Sequence, residues 1–372
     1  MTALKGMTWN HPRGLDPLLA ASAAWAAETG TTIAWDARSL QDFETYPLED
    51  LAAAYDLIVI DHPHVGGIVD AGCLVPFTES ATLAEIAAGS VGASFPSYRY
   101  AGRQWALPID AAAQVQAWVP GRIDGPVADW HAILSLAREG RLACPLRPPH
   151  ALMTLFTLCG QLERSPDSDG DILFDGEIGP RAWSMLAKLA DAVGPDARHH
   201  DPIAILDAMS ERDSAIAVAP YIYGYVSYAR DGFRPARIAF TDLAPVGVAG
   251  SAGSALGGTG IAVSARSDDI EAARAFACWV ASGPVQATLY AANGGQPGHD
   301  AAWRDATVNA ATGDFFAATR QTLDAAWLRP RHAGYMRFQH EASALIDAAL
   351  GGIDDGASVI ARLNDLHRRH RR

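Results

Sequence analysis

The first hundred residues alternate short apolar runs with stretches of helical period. Leu4 to Trp9 reads as a buried strand, followed by the polar loop Asn10-His11-Pro12-Arg13-Gly14. Asp16 with Pro17 behind it predicts a helix start, since proline has no N–H to leave unpaired in a first turn. Leu18, Ala21 and Trp25 recur on one face, and Gly30 supplies the stop. Thr31 to Trp35 and Tyr55 to Ile60 read as two further strands. The latter is nearly all apolar, as a strand covered on both faces must be. Strand, helix, strand, helix, strand predicts a parallel α/β layer with right-handed crossovers. Ligands in such layers bind beyond the carboxyl ends of the strands. The loops Trp9 to Arg13 and Asp61 to His64 are therefore site candidates on topology alone.

From about Ala111 to Gly258 the pattern is more helical. Ser165 to Gly170 is a turn cluster, and Asp213 to Pro220 reads as a short strand leading into Tyr221-Ile222-Tyr223-Gly224-Tyr225. A glycine-rich return follows at Gly257-Gly258-Thr259-Gly260. Asp268 and Glu271 then resemble a capping box, ahead of a stripe of Ile270, Ala273, Phe276, Ala277 and Val280. Two closing helices carry Ala342, Leu345, Ile346, Ala349 and Val359, Ile360, Leu363, Leu366.

Composition narrows the function. With 372 residues and 49% apolar content, the chain is long enough for about two domains with sizeable cores. A net charge of −13 argues against a nucleic-acid partner, whose binding would rest on a cationic footprint. The basic tail His367 to Arg372 reads as a solvated end. Four scattered cysteines suit lone buried thiols better than disulfides or a CxxC metal site. The longest uncharged run, Leu243 to Ala265, holds six glycines and three serines and makes a poor membrane span. Common catalytic signatures are missing as well. No GxGxxG follows the first strand, no GxxxxGK[ST] or GxSxG occurs, and His340-Glu341 does not continue to a second histidine at HExxH spacing.

Four segments together carry a family resemblance. Leu107-Pro108-Ile109-Asp110-Ala111 resembles the first inter-lobe crossing of bacterial extracellular solute-binding proteins of the maltose-binding-protein type. Ser214 to Gly224 resembles their run of small residues ahead of an aromatic site residue. Gly257 to Ser267, the helix after it and Asn293-Gly294-Gly295-Gln296-Pro297 resemble the return crossing, a helix and a Gly-Pro loop. Arg329-Pro330-Arg331, Tyr335 and Ala349 to Gly352 resemble the closing helices. The resemblance implies a periplasmic-binding-protein-like (type II) α/β fold. Its two discontinuous lobes would be residues 1–110 with 258–319, and 111–257 with 320–372. It implies a ligand held between lobes that close by hinge motion, no catalysis, no cofactor and no metal. The expected partners are a small-molecule ligand and an ABC transporter permease, with the chain itself a monomer. Periplasmic localisation follows from the family. The N-terminus lacks the apolar core of a secretory signal, so the alternative expectation is a cytosolic carrier or sensor derived from the family.

The candidate ligand-binding residues are Trp9, His11, Arg13, Asp61, His62, His64, Asp110, Tyr221, Tyr223, Thr259 and Tyr335. Each has a plainer reading: Asp61 as a helix cap, Asp110 as the partner of an arginine, the tyrosines as core edge. Arg13 offers a planar fork suited to carboxylate, and charged imidazoles would add donors, so affinity is expected to fall as the histidines deprotonate. That favours an organic anion with a flat or apolar portion, with a carbohydrate as its competitor. A rival reading joins His11, His62, His64 and Asp61 around a metal in a hydrolase on a two-domain α/β fold.

Overall fold

The computed structural model describes residues 2–39, 48–352 and 354–371. The elements that build the site are β1 (Ala3–Trp9), α1 (Pro12–Thr29), β2 (Thr32–Arg38), β3 (Leu57–Asp61), β4 (Leu107–Trp118) and α2 (His150–Leu162). After them come β5 (Val218–Tyr223), β6 (Leu256–Ser264), α3 (Ile270–Val280), α4 (Tyr335–Leu350) and α5 (Gly356–Arg371).

The main sheet runs β2-β1-β3-β6-β4-β5, and two short strands, Leu74–Val75 and Ala239–Thr241, join its flanks. β1 pairs in parallel with β2 and β3, the expected α/β arrangement. β6 returns antiparallel between β3 and β4. Because β6 touches both, one residue lies level with two functional positions: Thr259 is opposite Asp61 on β3 and opposite Asp110 on β4. A register shift follows at once between Thr259 and Gly260, the kind of irregularity that re-aims side chains beside a site.

β4 is twelve residues long and buried along nearly its whole length. It joins separate apolar cores. Leu107 and Ile109 pack with Leu4, Ile58, Ile261 and Phe276, whereas Ala111, Ala113 and Val115 pack with Ile222, Tyr228 and Phe315. A third core gathers α2, Leu186, α4 and α5 around Phe156, Phe174 and Phe338.

Three local expectations need correction. α1 begins at Pro12 rather than Asp16, with His11 as its cap: the ring Nδ1 accepts from the Arg13 N–H at 3.1 Å. Asp269, not Asp268, caps α3 by accepting from the Ala272 N–H at 3.0 Å. The basic tail is a solvated end only in part, with Arg368 and Arg369 exposed. His367 is buried with its Nε2 3.0 Å from the Gly170 carbonyl, and Arg371 donates to the same carbonyl at 2.8 Å, so α5 ties down the 165–170 turn. Cys73, Cys144 and Cys159 are buried free thiols, and Cys278 is partly exposed.

Candidate functional site

A cleft opens where β1, β3 and β5 end and β6 begins, holding about 750 Å³ with its open mouth included. Of the expected residues, Trp9, Arg13, Asp61, Tyr223 and Thr259 line it. Asp110 stands directly behind Arg13.

Arg13 lies on the first turn of α1 and is 4% exposed. Its Nε donates to Asp110 Oδ2 at 2.8 Å, Nη2 to Asp110 Oδ1, and Nη1 to the Gly224 carbonyl at 2.8 Å. Tyr225 lies beneath the guanidinium, 4.5 Å from its carbon to the ring centre. Burial works against the Arg13 charge, but Asp110 outweighs it and raises the guanidinium pKa above its ordinary value. Burial likewise pushes the Asp110 carboxyl up against the pull of Arg13, so the carboxylate depends on that arginine staying in place. The fork that the sequence offered to an anion is therefore occupied, leaving one N–H on each terminal nitrogen.

A second buried pair faces it. Arg329 Nη2 donates to Asp61 Oδ1 at 2.9 Å and Oδ2 at 2.6 Å, while Nε reaches the Leu256 carbonyl at 3.2 Å. Burial alone would raise the Asp61 carboxyl; Arg329 and then His62 reverse that and hold it well below the usual carboxylate range. Asp61 also caps the turn His62–His64, accepting from the His62 N–H at 2.8 Å. The plain capping role and the cleft position thus coexist in one side chain.

Between the pairs runs the glycine segment of β6. Gly258 has φ +97, and a Cβ there would collide with the Asp110 carbonyl. Thr259 Oγ1 is buried without a hydrogen-bond partner among the described residues.

Besides Asp110, five expected residues stand outside the cleft lining. His11 is inserted into an aromatic nest, 4.8 Å from Tyr225 and 6.2 Å from Tyr228 between ring centres. His62 is fully buried against Tyr98, and His64 is half-buried on the same short turn. Tyr221 is buried in the core around α2, while Tyr223, two positions further on the same face of β5, packs against that core and reaches the cleft at the strand's end. Tyr335 is buried beside Phe338 at the start of α4. With His11 in its nest, the four proposed metal ligands do not converge, and no cluster of three or more His, Cys, Asp or Glu suited to a metal occurs among the described residues.

The cleft also contains residues that sequence reasoning did not single out. His150 and Met153 come from α2, Met336 and Gln339 from α4, and Arg329 from the chain before α4. Arg329 lay in a motif already noted, without a role. His150 follows Pro148-Pro149 at the head of an apolar run, a helix-start signal that says nothing of a distant cleft. It is 4% exposed, its Nδ1 has no partner among the described residues, and burial holds its pKa down to about 4. It is thus neutral at physiological pH.

The model of a bacterial extracellular solute-binding protein family matches residues 20–317, and the chain belongs to that family. Its members bind solutes, so the chain is a binding protein rather than an enzyme. Among solved structures it is similar to an ABC transporter solute-binding protein of Agrobacterium radiobacter K84 in complex with ribitol, with TM-score 0.82 and 19% identity over 99% of this chain and 98% of that one. It is also similar to maltose-bound MalE3 of T. maritima, with TM-score 0.83 and 14% identity over 99% and 100%. A solute-binding protein of Thermotoga lettingae TMO bound with α-D-tagatose gives TM-score 0.81 and 15% identity over the whole of both chains. These likenesses establish the two-lobed α/β fold. No curated protein matches the chain. No helix of the described residues is long and apolar enough to cross a membrane.

Proposed function

We propose that this chain is the substrate-binding component of an ATP-driven importer. It holds a small polar solute between two lobes outside the cytoplasm and presents it, as a monomer, to an ABC permease. The observation that carries this reading is the pair of buried contacts reaching across the cleft. Arg13 and Asp61 come from elements of the core that contains Leu4 and Phe276, while Gly224 and Arg329 belong to chain packed with the other cores. Such contacts form when lobes close and break when they open.

The crossing strands β4 and β6 support a lobe boundary near Asp110 and Gly258. Support for ending the return portion before residue 319 comes from Trp303, Phe315 and Phe316, which pack with Ala113, Val115 and Tyr228. The neighbours named above are ABC transporter proteins, and the family is extracellular, which supports the partner and the compartment.

A thermal-shift screen over sugars, polyols, carboxylates and phosphates tests the reading. A specific solute at a hundred times its Kd stabilises by about 2.7 kcal/mol, and solution scattering should then show a smaller radius of gyration. A solute that binds with no change in scattering argues against closure.

A further inference from the structure

The walls of the cleft leave one electrostatic imbalance. Its two arginines are each matched by a carboxylate, Arg13 by Asp110 and Arg329 by Asp61, so these side chains cancel. The helices do not cancel. Three of them open their first turns onto the cleft: α1 through Arg13, α2 through Pro149 and His150, and α4 through Met336. They are 18, 13 and 16 residues long, and none has an acidic residue in its first turn. α2 and α4 have no side-chain cap at all, and the cap of α1 is His11, an uncharged imidazole. Each such end carries about half a positive charge together with N–H groups that lack intrahelical partners.

A fourth helix, Pro202–Ser210, is different because Asp201 caps it. That carboxylate is already engaged there, and Arg147 lies 3.7 Å from it. The ends without any side-chain cap are those of α2 and α4, whose first N–H groups donate back to the Arg147 and His332 carbonyls at 2.7 and 2.9 Å. On α2 a second feature points the same way: His150 is 4% exposed in the cleft wall, with an unpartnered ring nitrogen. A buried polar atom left unpaired costs about 1–3 kcal/mol, which an arriving ligand atom recovers.

Resting on the solute-binding reading above, we propose that the solute is a small carboxylic acid, its carboxylate seated at the first turn of α2 against His150. Its apolar body lies against Trp9, Tyr223, Met153 and Met336. The anion sits on helix ends and a neutral imidazole, and the two arginines shape the wall behind it.

The test uses the whole chain and matched probes. Thermal shift and calorimetry are run with linear and aromatic carboxylic acids, with the primary amide of each, and with ribitol, maltose and tagatose. At least one acid should bind, and its amide should bind at least tenfold more weakly. His150→Gln should weaken that acid about tenfold or more while leaving the fold intact by circular dichroism. If the variant fails to fold, the acid–amide comparison on the natural chain still decides. Binding of a sugar or polyol with no response to any acid overturns the proposal, as does equal affinity for acid and amide. Where no probe binds, the protein is exposed to a soluble metabolite extract and the captured solute identified by mass. An acid supports the proposal and a neutral solute defeats it. Capture of nothing defeats the solute-binding reading itself.

Discussion

Asp61 and Arg329, separated by 268 positions in the chain, meet as a buried ion pair with both carboxylate oxygens within 2.9 Å of one guanidinium nitrogen. Asp61 ends a strand of the first apolar core, and Arg329 precedes the helix that begins another. A contact of this kind links the sheet to the closing helices through charge rather than through apolar packing.

Breaking it leaves a charge stranded. With the two side chains 5% and 21% exposed, Asp61→Asn should cost about 3 kcal/mol of stability, near the lower end for a broken buried pair. Arg164→Ala, which removes a pair with a 66% exposed arginine, should cost no more than about 1 kcal/mol. Urea denaturation of the two variants makes the comparison. Equal losses would mean that Asp61 and Arg329 are no better shielded than a surface pair.

Arg13 and Asp110 should behave as a unit. Arg13→Met strands the buried Asp110 carboxylate, and Asp110→Asn strands the guanidinium, so each alone destabilises. The double variant should be more stable than the sum of the single losses requires, by about 1–3 kcal/mol. Additive losses in a double-mutant cycle would show that the two groups do not depend on each other.

Acid should weaken the fold through its buried histidines. Burial, reinforced by Arg13, holds His11 down to about 3; burial, reinforced by Arg329, holds His62 down to about 4; and burial holds His150 to about 4. In the unfolded chain each titrates near ~6.5. Below that pH the unfolded chain takes up protons that the folded one refuses, so stability falls as pH drops from ~6.5 toward ~4. The slope is up to about 1.4 kcal/mol per pH unit for each histidine. The urea midpoint should therefore drop between pH 7 and pH 5, and His11→Asn, which keeps a capping acceptor, should flatten the drop. A midpoint that holds steady over this range contradicts neutral buried imidazoles. His11 and His62, held down to about 3 and about 4, are not the charged donors that the sequence expectation invoked.

Two glycines should respond in opposite ways. Gly258→Ala forces a left-handed backbone on alanine and a clash with the Asp110 carbonyl, so it should cost more than the ~1 kcal/mol of backbone preference alone. Gly67 sits in the helix Val65–Ala71, where an added methyl group would meet nothing within 4 Å, so Gly67→Ala should gain about 0.5–1 kcal/mol. Thermal melts of both variants check this, and a stable Gly258→Ala would remove the reason for the glycine-rich return.

What was legible in the sequence follows a physical line. β3 announced itself because a doubly covered strand must be apolar throughout, and the loops after β1 and β3 could be placed at the cleft because strand direction dictates it. The start of α1 was misplaced because two prolines compete for the first turn and a histidine ring can cap as well as an aspartate. Tyr221 and Tyr223 share one face of β5, and only their depth along the strand separates them, Tyr221 buried in the core and Tyr223 reaching the cleft at the strand's end. His150, Arg329 and Gln339 gave no signal of a place in the cleft, since their meeting with Trp9 and Asp61 is made by tertiary packing between segments far apart in the chain.

The most direct test of a solute held between the lobes is a crystal structure of the protein saturated with the solute it captures. The expected result is density for that solute between Trp9 and Tyr223, with a polar group within hydrogen-bond distance of His150 or Thr259. A solute bound elsewhere, with this cleft filled only by water, would contradict it.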